Sequence, residues 1–372
     1  MQFCYFHLMP YTGSAETVQD WPVANKIFDP EKGRELYNTY LDNMVSAEEL
    51  GFDWVGCNEH HMSPFGMMAN PNIIGASIIQ RTKDIKIAMV GALVPLLNPI
   101  RIAEEYAMLD VLSGGRLIAG LLRGIPHEYV AYNMPPSESH ARLSEAIDLI
   151  VKCWTEPEPF GWEGEFYQYR AISIWPRPIQ KPHPRILMSG SNEASAIHAA
   201  EKHAMLGIVS APTMPRTKEL IDLYKKTARE HGWKPTKDDI LIGMTCSVAD
   251  DFETAKQQLS DGRAFFARVL GGGLRTAQQL VMHKTRYFDD TARGKFVDAS
   301  KQAKISVDDL LDAGNVLCGT PEMVVEQIKK QHAILGHGVT NINMKVGDIP
   351  NEAISYGMKL FSEQVLPEVR GL

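Results

Sequence analysis

Residues 58–66, Asn-Glu-His-His-Met-Ser-Pro-Phe-Gly, set two histidines and a carboxylate directly after the strand-like run Gly51–Cys57. Histidine gains and loses a proton near neutral pH without a large change of environment, so such a cluster suits acid–base work. It also has the residue types of a metal site, or of two packed rings. Neighbouring side chains of an extended chain point to opposite faces, so His60 and His61 cannot share one ion unless the backbone turns between them. Glu59 is placed to orient or charge-stabilise one ring.

The elements that must position this cluster alternate along the chain. Strand-like runs fall at 2–8, 53–57, 85–95, 115–123, 185–190, 205–210, 240–248 and 338–346, each nearly all apolar, as strands covered on both faces are. Helical periods lie between them: 34–50, 72–81, 100–112, a period around Leu143, Ile147, Ile150 and Trp154, then 193–203, 216–231, 252–269 and 351–365. Eight such units predict a (β/α)8 TIM barrel in one domain over 1–372, and the usual barrel of about 250 residues leaves room for insertions. These are expected at about 155–184, rich in prolines and aromatics, and at about 270–316. The second contains Leu-Gly-Gly-Gly-Leu at 270–274 and reads as a glycine-hinged, lid-like segment before the last strand. A further helix is announced by Thr320 as N-cap and Pro321 at its first position.

The C-terminal ends of barrel strands are where catalytic groups sit, and that is where Glu59 and His60 fall. A metal would draw more ligands from the other strand ends. Those end in Leu-Val-Pro, Met-Ser-Gly, Ile-Val-Ser and Cys-Ser-Val, and only His7 near the end of the first strand adds a donor, so no metal is expected. Net charge is −7 with dispersed Lys and Arg, which argues against nucleic acid. The five cysteines have neither CxxC nor finger spacing, a usage that fits a reducing cytoplasm. The first ten residues lack a basic leader and read as a strand, and no run approaches the roughly 18 apolar residues of a membrane span.

The segment Gly51–Gly124 resembles the second to fourth units of the bacterial luciferase-like flavin monooxygenases: a strand ending in Glu-His-His, a following Phe-Gly and Asn-Pro, an Ile-Arg-Ile-Ala-Glu-Glu helix, and a strand opened by Ser-Gly-Gly-Arg. The likeness continues in Gly-Thr-Pro-Glu at 319–322 and in the closing helix at 356–370, and thins at 155–184 and 270–316.

What the resemblance implies is specific. The family's active-site histidine falls on His60, with Glu59 as its electrostatic support and His61 left to packing. Reduced FMN would be a co-substrate with O2, its ring over a non-prolyl cis bond that matches Val90-Gly91. Its phosphate would lie near Arg123, the only cation at the end of the fourth strand, and near Gly190 and Ser191, where a loop enters a helix whose N-terminal N–H groups favour anions. The family's reactive cysteine before that arginine is replaced by Leu122. No Gly-x-Gly-x-x-Gly opens a dinucleotide site, so a separate NAD(P)H-dependent flavin reductase is expected as partner. Relatives commonly dimerise, which makes a homodimer the expectation. The substrate is expected to be an apolar organic molecule, with Phe65, Met67, Tyr129, Trp162 and Tyr167 as candidate lining. Two other readings stay open: a deazaflavin-dependent hydride-transfer oxidoreductase on the same fold, and a non-catalytic flavin-binding relative.

Overall fold

The computed structural model describes residues 1–13, 21–210, 212–282 and 305–372, with the backbone alone over 272–282. Its strands are β1 (Gln2–Phe6), β2 (Trp54–Cys57), β3 (Lys86–Met89), β4 (Ala92–Leu93), β5 (Leu117–Leu122), β6 (Phe160–Glu163), β7 (Gln168–Ile172), β8 (Arg185–Ser189), β9 (Met205–Ile208), β10 (Ile240–Val248), β11 (Val316–Gly319) and β12 (Val339–Asn343). Eight of them close a parallel barrel in the order β1-β2-β3-β5-β8-β9-β10-β12, with β12 returning to β1. The (β/α)8 barrel expected from the eight apolar runs is the fold.

Why these runs close a barrel is visible in their alternation. Cys4, Phe6, Trp54, Ala88, Ile118, Leu187, Met205, Leu241 and Val339 pack with one another inside the barrel, while Phe3, Tyr5, Val55, Ile87 and Ile242 pack outward under the helices. Both faces are therefore dry, and the runs need no polar positions.

The helices are α1 (Pro30–Glu49), α2 (Pro71–Ile79), α3 (Pro99–Ser113), α4 (Pro126–Ala131), α5 (Ser139–Thr155), α6 (Glu193–Glu201), α7 (Met214–Glu230), α8 (Phe252–Met282), α9 (Val307–Asp312), α10 (Pro321–Leu335) and α11 (Asn351–Leu360). Four of them start by one device. Asp29, Asn70, Asn98 and Thr320 each accept backbone N–H groups of the first turn, and a proline follows at the first helical position. The side-chain oxygen satisfies donors that the helix itself cannot, and the proline gives up an N–H that would have been orphaned.

The structure departs from the sequence reading in four places. The run 85–95 is divided into β3 and β4 by a cis peptide at Val90-Gly91. The stretch 155–184 carries the antiparallel hairpin β6–β7, clamped to α5 by Glu145, which accepts from Trp162 Nε1 at 3.0 Å and from the N–H groups of Phe166 and Tyr167. A further parallel strand, β11, extends the sheet beside the end of β10.

The fourth departure concerns 270–316. The glycines at 271–273 lie inside α8 rather than in a loop, and the rest of that expected lid, 283–304, falls outside the described residues. The amphipathic stripe of α8 explains why the helix persists. Phe265 and Val269 are buried with Phe6, Leu8, Phe65 and Val90 of the barrel interior, and Phe266 and Leu270 pack against the same group. Full burial of one such side chain contributes about 1.5–3 kcal/mol, which outweighs the roughly 1 kcal/mol each glycine costs a helix. Thus α8 lies against the C-terminal mouth of the barrel. Among the described residues no helix is long and apolar enough to cross a membrane.

Candidate active site

His60 follows the C-terminal end of β2. Its Nδ1 lies 3.0 Å from Glu128 Oε1, with the histidine side chain 19% exposed and the glutamate fully buried. Glu128 comes from α4, the short helix directly after β5, and its second oxygen accepts the Ile125 N–H at 2.8 Å. The carboxylate accepts the Nδ1 proton of a neutral ring, so the ring's remaining lone pair sits on Nε2. The edge of Phe65 stands against the ring at 4.7 Å between centroids, and Phe266 of α8 stands against Phe65 at 4.7 Å.

Glu59 is not the carboxylate at His60, contrary to the expectation. It meets His61 instead: Glu59 Oε1 is 2.8 Å from His61 Nε2, and Glu59 Oε2 accepts the Leu93 N–H of β4 at 3.0 Å. The reason is the extended chain just past β2, which sends the alternate side chains 59 and 61 to one side and 60 to the other. His61 Nδ1 is taken by the Tyr132 hydroxyl at 3.0 Å, so both nitrogens of that ring are occupied.

The floor of the mouth is backbone. The cis Val90-Gly91 bond links β3 to β4, with Val90 N–H donating to Cys57 at 2.5 Å. Tyr106, fully buried on α3, accepts from Ala92 N–H at 3.3 Å and donates to the Gly120 carbonyl at 2.8 Å, which pins β4 to β5. Only glycine fits at 120, because a Cβ there would stand 1.5 Å from the Met89 carbonyl oxygen.

Arg123 and Gly190 lie one beside the other on this rim, since Gly120 of β5 pairs with Leu187 of β8 and each is three residues upstream. Arg123 is half-buried, and its guanidinium forms no ion pair among the described residues. Its charge is felt by His140, at the start of α5, which burial first and Arg123 second hold below the usual histidine range. Gly190 is buried against Leu206, whose Cδ1 would be 2.1 Å from any added Cβ. Ser191 is exposed, its hydroxyl 3.5 Å from that of Ser189. It precedes α6, where Asn192 accepts the Ser195 N–H at 3.0 Å and leaves the earlier N–H groups of that turn pointing outward.

Two other histidines near the rim are held neutral. Burial pushes His127 down to about 4 against the opposing pull of Glu128, and His7, buried behind β1, down to about 3. His7 Nδ1 accepts the Met9 N–H at 2.8 Å, and its Nε2 is buried with no hydrogen-bond partner among the described residues. Among the described residues no three His, Cys, Asp or Glu are grouped to hold a metal.

Of the aromatic lining expected for a substrate, Phe65 is at the mouth. Tyr129 is buried with its hydroxyl on the Arg123 carbonyl at 2.7 Å, and Met67 packs into the outer layer. Trp162 and Tyr167 belong to the hairpin on α5, on the connection that enters the N-terminal end of β8, and so lie away from the mouth. The residue that the sequence reading missed is Glu128; its only signal was a carboxylate on the short Pro126 helix beyond β5.

A closed parallel barrel with its polar and titratable groups gathered at the C-terminal rim is the arrangement of a (β/α)8 enzyme. Residues 17–338 match the family model of the luciferase-like monooxygenases. The chain belongs to that family of oxidoreductases. It is 25% identical over 350 residues to the alkanal monooxygenase alpha chain of Photobacterium leiognathi, covering 91% of this chain and 95% of that one. Among solved structures, monooxygenase RslO1 from Streptomyces bottropensis superposes with a TM-score of 0.75 at 27% identity, over 99% of both chains. The oxygenating constituent of 3,6-diketocamphane monooxygenase from Pseudomonas putida, a type II Baeyer-Villiger enzyme solved with FMN, gives 0.76 at 20% identity, again over 99% of both.

Proposed function

We propose that this chain is the oxygenating component of a flavin-dependent monooxygenase, which takes reduced FMN and O2, inserts one oxygen atom into an organic substrate, and receives its reduced flavin from a separate reductase. The observation that carries the reading is His60, held by the buried Glu128 at the rim with Nε2 free to exchange a proton. The residues present fit FMN. Arg123 has no carboxylate to neutralise it among the described residues, the start of α6 presents N–H groups beside Gly190 and Ser191, and in strand order β4 and β5 come between these and the end of β2 that carries His60. When bound, the reduced flavin supplies the two electrons for O2.

The protein's own part is orientation, proton handling and dryness. Arg123, Gly190 and Ser191 hold the phosphate end, Val90 and Gly91 underlie the ring, and Phe65 with the apolar stripe of α8 keeps water from the mouth. His60 Nε2 moves the proton, and Glu128 fixes the ring's tautomer and stabilises its protonated form. Glu59 acts at one remove, through His61 and the Leu93 N–H, by fixing the end of β2 against β4.

The test is rapid-mixing oxidation of FMNH2 by air with and without candidate ketones, aldehydes and arenes, a generic reductase being supplied in the steady state. His60→Ala is expected to lower substrate turnover at least a hundredfold while FMNH2 still binds, and Glu128→Gln to lower it roughly tenfold, the usual difference between a charge-assisted and a neutral hydrogen bond. Unchanged turnover in His60→Ala removes the proton-transfer role. Tight binding of a deazaflavin with no consumption of O2 overturns the monooxygenase reading.

A further inference from the structure

Three side-chain amide oxygens, Oδ1 of Asn58, Asn341 and Asn343, are buried and have no hydrogen-bond partner among the described residues. Buried polar atoms are otherwise paired almost everywhere in proteins, so three together on one side of a mouth call for a common explanation. All three are on β12 or just past the end of β2, the two strands that flank β1. Arg123 and Gly190 are across the barrel, past β5 and β8.

Their direction follows from register. Val339 and Leu241 pair and both pack inside the barrel, so the period of two puts Asn341 and Asn343 of β12, and Gly243 and Thr245 of β10, on the inner face. A Cβ at Gly56 on β2 would stand 3.5 Å from Asn341 Oδ1, which shows that this amide reaches across β1 in the interior. Asn343, half-buried, pairs with Phe6 on one side and with the half-buried Thr245 on the other. Asn58 has its amide N–H on the His7 carbonyl, and its free oxygen stands two residues before His60. The apolar partners nearest this half of the rim are Leu8, Phe65 and Phe266.

Resting on the monooxygenase reading, we propose that Asn343, Asn58 and Asn341 are substrate-recognition residues, and that the substrate is an aromatic molecule bearing hydroxyl or N–H donors rather than a plain alkyl chain. The amide oxygens accept from those donors while the ring lies against Phe65 and Phe266, with the reacting carbon toward His60. A site whose buried acceptors require donors discriminates strongly against an analogue that lacks them, because the acceptors are then left unpaired.

The experiment uses the FMN-loaded full chain and two probes of one shape, 4-ethylphenol and its methyl ether 4-ethylanisole, titrated by the change in the flavin absorption spectrum. The phenol is expected to bind roughly ten- to a hundredfold tighter. Asn343→Leu is expected to narrow that ratio to under about threefold. Equal binding of the two probes to the unmodified protein, or binding of neither, overturns the proposal without need of any variant. A loss of more than about tenfold in FMN affinity in Asn343→Leu also overturns it, by assigning the amide to the flavin. Failure of the unmodified chain to bind FMN at all overturns the flavin reading instead, so the two failures are told apart.

Discussion

Replacing His337 by Gln should flatten the acid limb of the protein's stability curve. His337 is 1% exposed, its Nε2 lies 3.1 Å from Thr340 Oγ1, and its Nδ1 has no partner among the described residues. Burial first, then the charges of His332 and the N-terminus, push its pKa down to about 3. In the unfolded chain the ring takes a proton near pH 6.5. Between those two values the unfolded state binds more protons, so stability that is complete above about pH 6.5 is lost as the pH falls toward 3. At pH 5, roughly 1.5 units below the ordinary value, the loss is about 2 kcal/mol at about 1.4 kcal/mol per unit. The assay is urea unfolding of both proteins at pH 7.5 and at pH 5. The unmodified protein should lose about 2 kcal/mol more than the variant between the two conditions, because His7, His127 and His198 titrate alike in both and cancel. Losses equal to within about 0.5 kcal/mol would refute the claim that His337 is held neutral by the fold.

Two further substitutions probe the floor and the phosphate side of the mouth. Gly120→Ala, which would bring a Cβ to 1.5 Å from the Met89 oxygen, is expected to abolish soluble expression or to cost more than about 4 kcal/mol, read as yield and Tm; a variant as stable as the parent contradicts the close approach of β3 to β5. Arg123→Met is expected to weaken FMN about ten- to a hundredfold while leaving riboflavin, which has no phosphate, unchanged in a fluorescence titration; equal loss for both ligands means that the guanidinium does not meet the phosphate.

The barrel was legible because its signal is repeated: eight apolar runs separated by helical periods constrain one another, and Thr320 with Pro321 marks the start of α10, while the same device at Asp29, Asn70 and Asn98 came to light in the structure. His60 was legible for a related reason, since the end of a barrel strand is a position that sequence can locate. Its partner was not. Glu128 is 68 residues away in the chain and sits on a six-residue helix with no periodicity to betray which side faces inward. Adjacency pointed to Glu59, and alternation of side chains gave that carboxylate to the next histidine. The glycines at 271–273 misled for an energetic reason, because local propensity argues for a hinge while the buried stripe from Phe265 to Leu270 carries the helix through them. Trp162 and Tyr167 have the composition of a binding site, and only topology shows that their hairpin is on the approach to the N-terminal end of β8.

The bonds around the two histidines have a bearing on how this enzyme can change. Glu59 ties the end of β2 to β4, Tyr132 ties His61 to the end of α4, and Glu128 ties His60 to the start of the same helix. Three stretches far apart in the chain are thus one cross-braced block, and a substitution in any of them is felt in all. Farther round the rim, past β1, Thr245 and Asn343 are joined by the backbone ladder of β10 and β12. Selection, or an engineer, can rewrite that side to admit new substrates while the proton-handling side stays as it is.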